Sequence, residues 1–325
     1  MGVSSAQAAY EIFKPAIMYT GTPKDSAFNE TLHEGVLRYN EIGKVACREV
    51  VASPNKESYL STLTALVKEG FSPIILPYSN EFPKVIELIT ENSHTRFIAI
   101  DFELDKPNVY SFRFSDHEGA FLAGILAAIK SKSQIVGYIS TVDQPHMQRF
   151  YCGYMQGVAF INPDIKILYD IVGDRDGVWY DQKGAFDLAV KQIDQGADVL
   201  YGPAGNAGLG VLKAANDMGV FAIGVDFNQN GLYPDTMIGS AIKRVDHAVF
   251  ASLMLMQEGV FRDNVKRLGL SQNAVDMVFS GVGEVVSEDE RNKISEIKGL
   301  IQIGKIRVVD SLIEPNCTSA VSTDE

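Results

Sequence analysis

One stretch of the chain, from Asp198 to Gln229, restricts the fold more than any other. It begins with an apolar run, passes through a glycine-rich loop, continues with helical spacing and ends in a second apolar run. This order predicts strand, turn, helix and strand, and a crossover of that length joins parallel strands. Ligands of open parallel sheets bind beyond the carboxyl ends of the strands. Asn206, Asp226 and Asn228 follow the two predicted strands and are therefore candidate binding residues.

The same alternation of strand and helix patterns fills the rest of the chain, which is typical of doubly wound parallel sheets. The helix DHEGAFLAGILAAIK, from residue 116, is rich in Ala and Gly, which favours close packing against a neighbouring backbone. A chain of 325 residues also suits two domains. We therefore predict an α/β protein with two lobes. Lobe 1 comprises residues 1–115 and 246–283, and lobe 2 comprises residues 116–245 and 284–325.

The cysteines and histidines indicate no metal site. Cys47, Cys152 and Cys317 are odd in number, widely spaced and without a CxxC pair. We interpret the first two as small buried hydrophobic residues and Cys317 as a thiol in a polar, frayed tail covering 315–325. The five scattered histidines match neither a zinc-ligand spacing nor a His-based triad. The sequence thus predicts no metal, no cofactor and no catalytic residue.

Charge and hydropathy exclude further classes of protein. The net charge of -12 and the pI near 4.9 argue against a nucleic-acid partner, because phosphate backbones need clustered Lys and Arg. No window reaches the roughly 18 to 20 apolar residues that span a bilayer. The amino terminus also lacks the charged and apolar regions of an intact signal peptide.

Five segments, in a fixed order, carry a family resemblance. They are DSAFNETLHEG (25–35), FRFSDHEGAFLAG (112–124), GYMQG (153–157), GADVLYGPAGNAGLGV (196–211) and AIGVDFNQ (222–229). Together they resemble the basic membrane protein family, nucleoside-binding lipoproteins of the purine nucleoside receptor type that serve ABC transporters. The resemblance covers the chain from about Pro15 to about Val308. It implies a type I periplasmic-binding fold, with two lobes and a three-segment hinge that close on a purine nucleoside.

The resemblance implies four residues that bind the base. Asn29 matches the family's Asn after the first strand, and Asp101 matches the Asp that ends FIAID. Trp179 stands where the family usually has Phe, and Phe28 is a candidate for the opposite ring. From the residues alone, Asp101 could equally cap a turn, Trp179 could be a core or rim residue, and Phe28 could pack against its own helix.

Four further residues correspond to the ribose side. Gly205 and Gly208 match the family's glycine loop, Asp226 its GVD aspartate, and Lys243 the Lys after its short strand. The glycine spacing does not fit GxGxxG, so close approach to a sugar or helix capping explains it better than a dinucleotide site. Without the resemblance, Asp226 could be a cap and Lys243 a solvated side chain. Asn29 and Asp101 are predicted in one lobe, Trp179, the glycine loop and Asp226 in the other, and Lys243 on the hinge side.

Two departures from the family lie near the first strand, where Ala27 replaces a Ser and Thr20 a frequent acidic residue. The lipidated cysteine that begins most mature members is not present in this chain. The resemblance nevertheless implies a protein of the periplasm or the extracellular face of the cell membrane. Its expected partners are a purine nucleoside and the subunits of an ABC permease. We expect a monomer.

Three alternatives stay open at this stage. The first is a binding protein for a free purine nucleobase or another small ligand. A nucleoside-processing enzyme would want an Asp-rich metal loop or an activated nucleophile, and no such cluster is found near the amino terminus. A transcriptional regulator would need a helix-turn-helix module before residue 15, and fourteen residues are too few.

Overall fold

The computed structural model describes residues 13–52, 56–77, 83–175, 177–262, 264–279, 281, 285–317 and 322–323. From the sequence, Ser53 or Asn55 is also predicted to cap the second helix, and both lie outside these residues. The strands are β1 (Ala16–Tyr19), β2 (Arg48–Val51), β3 (Ile74–Pro77), β4 (Phe97–Ile100), β5 (Val109–Phe114), β6 (Ile135–Ser140), β7 (Lys166–Ile171), β8 (Val199–Tyr201), β9 (Phe221–Asp226), β10 (Met237–Lys243), β11 (Val265–Leu268), β12 (Val275–Val278), β13 (Ile306–Arg307) and β14 (Ser322–Thr323).

Helices alternate with most of these strands, as the sequence predicts. They are α1 (Phe28–Ile42), α2 (Lys56–Lys68), α3 (Pro83–Glu91), α4 (Asp116–Lys130), α5 (Pro145–Ile161), α6 (Gln182–Asp194), α7 (Gly208–Met218), α8 (Val245–Gln257) and α9 (Glu288–Gln302). Single turns of 3₁₀ helix lie at Val178–Tyr180, Gly205–Ala207, Asn230–Leu232 and Leu270–Gln272. No helix in the described part of the chain combines the length and the apolar character needed to cross a membrane.

Contacts divide the chain into two compact units, each built around one six-stranded sheet of described residues. Unit 1 takes the chain up to Gly21, Gly35–Phe112 and His247–Lys266. Unit 2 takes Thr22–Glu34, Arg113–Asp246 and the chain from Arg267 onward. The α/β class with two doubly wound sheets is therefore confirmed.

The observed division differs from the predicted boundaries in two long segments, and also at residues 113–115 and 246, which group with unit 2. Residues 22–34 group with unit 2, because side chains at 206 and 229 hydrogen-bond to the backbone of this segment. Residues 267–283 also group with unit 2, because β12 pairs antiparallel with β10. Neither contact has a local sequence signal.

The sheet of unit 1 has the order β11-β5-β4-β3-β1-β2. The neighbouring pairs β2–β1, β1–β3, β3–β4 and β4–β5 are all parallel, as crossover helices require. Strands β1, β3 and β4 are buried along their full length, which explains why each is a continuous apolar run in the sequence. Strand β11 is not predicted, because its sequence VKRL alternates only weakly and two of its four residues are basic.

The sheet of unit 2 repeats that order as β12-β10-β9-β8-β6-β7. Strands β7, β6, β8, β9 and β10 are parallel, and β12 adds an antiparallel edge. A core of Ala, Val, Leu and Ile side chains from α6, α7 and the adjacent strands lies against this sheet. The carboxyl ends of β8, β9 and β10 consequently lie side by side at one edge.

Helices α4 and α5 pack with their backbones in direct contact, as the Ala and Gly content of α4 predicts. A Cβ atom on Gly124 would overlap the carbonyl oxygen of Tyr154. Reciprocally, a Cβ on Gly153 would overlap the carbonyl of His117, and one on Gly157 the carbonyl of Phe121. Glycine is required at these three positions by the space between the helices.

A disulfide joins Cys152 on α5 to Cys317, with 5.6 Å between the two Cα atoms. The interpretation of Cys152 as a plain hydrophobic residue and of Cys317 as a free tail thiol was therefore wrong. The prediction for Cys47 is confirmed, since it is a buried free thiol. The tail is not simply frayed either, because β14 pairs antiparallel with β13. The bonded cysteines are 165 residues apart, a pairing that spacing cannot reveal.

The helix contact gives a first prediction. Gly124→Ala forces the backbones of α4 and α5 apart and should lower the free energy of unfolding by about 1–3 kcal/mol, the usual cost of overpacking. The matched control is Gly299→Ala on α9, where a Cβ meets nothing within 4 Å. That change should be neutral or stabilise by up to about 1 kcal/mol, because Ala favours helix. Urea denaturation measures both, and equal effects would contradict the packing argument.

The disulfide gives a second prediction. Cys317→Ser should lower the free energy of unfolding by about 2–5 kcal/mol, since it releases a long covalent loop. Dithiothreitol should destabilise the wild-type protein by a similar amount and leave the Ser variant unchanged, as read from thermal melts. A wild-type melting temperature that does not respond to reductant would refute the bond's contribution.

Candidate functional site

Asp226 and Lys243 meet at the edge of the unit 2 sheet. Asp226 ends β9, Lys243 ends β10, and the two strands are parallel neighbours in which Ile242 pairs with Asp226. The Nζ of Lys243 lies 3.6 Å from Oδ1 of Asp226, and both residues are buried. The resemblance assigns both residues to the ribose side, and the structure brings them together; their contact with a ribose remains a prediction.

Asp116, which the sequence analysis does not single out, contacts the same lysine. Its Oδ1 lies 3.0 Å from the Nζ of Lys243, whereas Oδ1 of Asp226 lies 3.6 Å from the same atom. Asp116 is the first residue of α4 and is itself buried. An acidic residue in a first helical turn is common because it complements the helix dipole, so its position alone gave no signal of a site.

Three phenylalanine rings surround the ammonium of Lys243. Its Nζ lies 5.2 Å from the ring centroid of Phe28, 5.5 Å from that of Phe150 and 5.9 Å from that of Phe114. A cation within about 6 Å of an aromatic face is attracted by the ring quadrupole. Phe28 lies at the start of α1 and is partly buried. Its ring therefore contacts the predicted lysine and does not only pack against its own helix.

Asn29 is held by a network at the start of α1. Its Nδ2 donates to Oδ2 of Asp25 at 3.0 Å and to the hydroxyl of Tyr180 at 3.4 Å. Asp25 also accepts from the backbone N–H of Ala27, just before the helix, and from that of Glu30 in the first turn, so it caps the helix. Asn206 of the glycine loop donates to the carbonyl of Asp25 at 3.0 Å. These contacts lie within unit 2, and Asn29 therefore belongs to unit 2. From the sequence we predicted that it shares a lobe with Asp101, which lies in unit 1.

The other early candidate, Asn228, makes a local contact, since its Oδ1 accepts from the backbone N–H of Asn230 at 3.2 Å. Asp101 lies in unit 1, directly after β4, and its backbone N–H donates to the carbonyl of Phe112 at 2.8 Å. Its φ is 70°, and that of Asp226 is 62°. A non-glycine residue in this left-handed region is uncommon and is found preferentially at functional sites.

Trp179 lies against the glycine loop. A Cβ on Gly205 would come within 3.1 Å of its ring, and the ring also stacks at 24° on His146 with 6.1 Å between centroids. Gly205 has φ +57°, a second reason for glycine there. A Cβ on Gly208 would meet the carbonyl oxygen of Gly202. Close packing within unit 2 thus accounts for both glycines, and their predicted contact with a ribose remains a prediction.

A small cavity in unit 2 is lined by Asp116, Phe150, Tyr201, Asp226 and Lys243. The hydroxyl of Tyr201 is fully buried and makes no hydrogen bond to any described residue. The Oδ1 atoms of Asp116 and Asp226 both face the ammonium of Lys243, and neither accepts a well-aligned hydrogen bond within the described chain. Buried polar atoms are almost always hydrogen-bonded, and this cavity, about the size of one water molecule, is suited to a water that bonds to these atoms.

Burial raises the pKa of Asp226, and the negative charge of Asp116 raises it further, while Lys243 opposes both effects. Two histidines near the site are affected in the opposite direction. Burial lowers the pKa of His146 to about 4, and burial with the charge of Arg149 lowers that of His117 to about 4. Both imidazoles are therefore neutral at pH 7, and the carboxylates face only Lys243 and Arg149 as nearby cations among these groups.

Arg149 connects the site to the carboxyl-terminal segment. Its guanidinium lies 3.5 Å from Oδ2 of Asp116 and donates from Nε and Nη2 to the two oxygens of Asp310, each at 2.8 Å. It also donates to the backbone carbonyl of Phe114. Bidentate pairing of this kind fixes the orientation of the planar group. Arg149 and Asp310 were not predicted, because neither lies in a motif that implies a role.

The architecture defines a class of protein. The crystal structure of an ABC transporter solute-binding protein from Aeropyrum pernix K1 matches with a TM-score of 0.80 over 95% of this chain and 100% of that chain, at 23% identity. A solute-binding protein from Conexibacter woesei DSM 14684 matches with a TM-score of 0.71 over 92% and 99%, at 20% identity. The fold is therefore that of the periplasmic binding proteins, as predicted.

Sequence comparison gives the family within that class. Basic membrane protein A1 of Borrelia garinii subsp. bavariensis is 29% identical over 277 residues, which cover 82% of this chain and 80% of that protein. Basic membrane protein A of Borreliella afzelii is 30% identical over 243 residues, 73% of each. The Bmp family model, described as ABC transporter substrate-binding protein PnrA-like, matches residues 12–311. The chain belongs to this family, and its general role is solute binding.

The described residues contain no group of three or more His, Cys, Asp or Glu side chains placed to hold a metal ion. The arrangement in unit 2 instead offers two carboxylates, one ammonium, aromatic rings and a phenolic hydroxyl. Groups of these types can bind a small polar ligand by hydrogen bonds and ring contacts.

The buried cap of α1 gives a third prediction. Burial raises the pKa of Asp25 to about 6, above its value near 3.8 in an unfolded chain. Between these values the folded state retains a proton that the unfolded state has lost, so the stability falls as the pH rises. The unfolding free energy of the wild type minus that of Asp25→Asn should therefore fall by about 3 kcal/mol from pH 3.5 to pH 7. Chemical denaturation at several pH values measures it.

The control for this prediction is Asp164→Asn, which changes an exposed aspartate between α5 and β7. Its difference from the wild type should vary by less than about 0.5 kcal/mol over the same range. If the difference for Asp25→Asn does not change with pH, the pKa of Asp25 is not raised by folding, and the prediction is wrong.

Proposed function

We propose that this chain is the substrate-binding component of an ABC transporter and that it captures purine nucleosides such as inosine, guanosine or adenosine. The single observation that carries the proposal is the buried carboxylate of Asp226 beside Lys243, in a chain of the PnrA-like family. The Oδ1 atom of that carboxylate accepts no well-aligned hydrogen bond within the described residues.

The ribose is the part of the ligand that Asp226 and Lys243 would bind. A vicinal diol presents two O–H donors that one carboxylate can accept, and such charge-assisted bonds are about twice as strong as neutral ones. Lys243 would donate to a hydroxyl or to the ring oxygen. The tight loop at Gly205 and Gly208 would let the backbone approach the sugar.

The base would be bound by rings and by polar side chains. Trp179 and Phe28 are both only partly buried. Stacking of a base on an aromatic face is worth about 1–3 kcal/mol by alanine substitution in single-strand binders. Asn29 and the carboxylate of Asp101 would read the polar edge of the purine.

The proposed mechanism is closure of the two lobes about their three connecting segments. A ligand that contacts both lobes binds the closed state more tightly and therefore shifts the population toward it. Closure would then present the loaded protein to the permease. No step requires a covalent change in the ligand, and we propose no catalysis.

The proposed location is the periplasm or the extracellular face of the cell membrane. The Cys152–Cys317 disulfide supports it, because disulfides persist in oxidising compartments and are rare in the cytosol. The proposed partners are the purine nucleoside and the membrane subunits of an ABC permease. The net charge of -12 disfavours nucleic acid, and we propose a monomer.

A binding panel tests the function and gives a fourth prediction. Inosine at 100 times its Kd should stabilise the protein by about 2.7 kcal/mol, which is easily seen as a thermal shift. Asp226→Asn removes the charge that binds the diol and should weaken inosine at least tenfold more than hypoxanthine in calorimetry. The matched control is Asp170→Asn. Asp170 lies on β7, and its carboxylate pairs with Lys191 at 2.6 Å.

Each result of the panel has a distinct meaning. Equal losses for inosine and hypoxanthine would remove the ribose assignment, and tighter binding of hypoxanthine than of inosine would favour the nucleobase alternative. Release of free hypoxanthine from inosine over many turnovers, followed by chromatography, would refute the proposal that the chain only binds.

A further inference from the structure

We propose that Asp116 is a positioning residue that draws the ammonium of Lys243 toward itself and so keeps the carboxylate of Asp226 available to the ligand. The proposal rests on the proposed function, in which Asp226 and Lys243 bind the ligand's hydroxyl groups. It assigns a role to a residue that would not itself need to touch the ligand.

The distances carry the first step of the argument. Lys243 Nζ is 3.0 Å from Asp116 Oδ1, a hydrogen-bonding distance, and 3.6 Å from Asp226 Oδ1, which is longer than a hydrogen bond but still within ion-pair distance. The ammonium is therefore shared unequally between two carboxylates. If Asp116 were neutral, Asp226 would be the remaining charged partner, and Lys243 would move onto it.

The burial of these groups makes this choice of partner matter. Lys243 is 5% exposed, Asp226 8% and Asp116 9%. Ion pairs that are removed from water interact far more strongly than exposed pairs. A ligand hydroxyl that approaches Asp226 would have to displace a buried lysine if the two formed a direct pair. With the lysine held by Asp116, that displacement is avoided.

Asp116 is itself held in place, so it cannot simply follow the lysine. It begins α4, a helix of 15 residues, where the positive end of the helix dipole stabilises a carboxylate. Its Oδ2 lies 3.5 Å from Arg149, and Arg149 is fixed by two bonds to Asp310. The position of Asp116 is therefore set from the side away from Lys243.

Other titratable groups near Asp226 and Asp116 are accounted for. Tyr201 on β8 has a fully buried hydroxyl, and burial raises its pKa far above neutrality. His146 on α5 and His117 on α4 are neutral at pH 7 because burial lowers the pKa of each to about 4. Arg149 on α5 pairs with Asp310 and Asp116. Among these groups, Asp116 and Lys243 are the charges that contribute to the pKa of Asp226.

The first test needs no ligand and gives a fifth prediction. In protein labelled with ¹³C at the aspartate carboxyl carbons, the Asp226 signal is assigned with Asp226→Asn and titrated by NMR. Asp116→Asn removes a negative neighbour and lets Lys243 approach, so the pKa of Asp226 should fall by about 1. Asp170→Asn, the control used above, should leave it unchanged. An unchanged or raised pKa in Asp116→Asn would overturn the proposal.

The second test uses inosine and a double-mutant cycle. Asp116→Asn should raise the Kd of inosine at least tenfold in the wild-type background, because Lys243 then covers Asp226. In a Lys243→Met background the same change should alter the Kd less than twofold, since the lysine to be positioned is gone. Equal losses in both backgrounds would indicate a merely structural role for Asp116 and would refute the positioning role.

The two tests separate this inference from the proposed function. If the wild-type protein binds no nucleoside, the proposed function fails, and the carboxyl titration still decides whether Asp116 controls the Lys243–Asp226 pair. If Asp116→Asn does not fold, Asp116→Ser removes the same charge with a residue that suits a first helical turn, and the same results are expected.

Discussion

Unit 2 depends on an alternating series of charges, in which the partly buried Asp310 is followed by the buried Arg149, Asp116, Lys243 and Asp226. These side chains come from the carboxyl-terminal segment, α5, α4, β10 and β9. Taking charges out of water is costly, and removing one member of a buried pair typically costs about 3–5 kcal/mol because its partner is left uncompensated. The elements that carry them must therefore all be in place together. The geometry of the candidate site is a result of that requirement.

The glycine contacts between α4 and α5 make the series possible. Gly153 removes a Cβ that would overlap the carbonyl of His117, so the two helix backbones come together one residue from Asp116. Arg149 lies on the same helix as Gly153, one turn earlier. With side chains on the glycines, the helices would separate and the 3.5 Å contact between Arg149 and Asp116 would be lost. Apolar packing and electrostatics are thus coupled at this interface.

The sequence predicts most of the fold because the signals are local. Continuous apolar runs mark β1, β3 and β4, and the small residues of α4 indicate its close packing. Asp226 and Lys243 were found through family resemblance and the topology of parallel strands. Asp116 was not, because one acidic residue at a helix start resembles many others. Asp310 and the Cys152–Cys317 bond depend on partners more than 150 residues away, which no local pattern encodes.

The left-handed backbone at Asp101 and Asp226 restricts which residues can stand at both positions. The two sheets have the same strand order, so β4 of unit 1 corresponds to β9 of unit 2, and these two aspartates occupy matching places. Such a conformation favours Gly, Asn and Asp and penalises most other side chains. The same type of residue therefore meets the same backbone requirement at the end of a strand in both units. The backbone narrows the choice of residue at both positions, independently of what each carboxylate contacts.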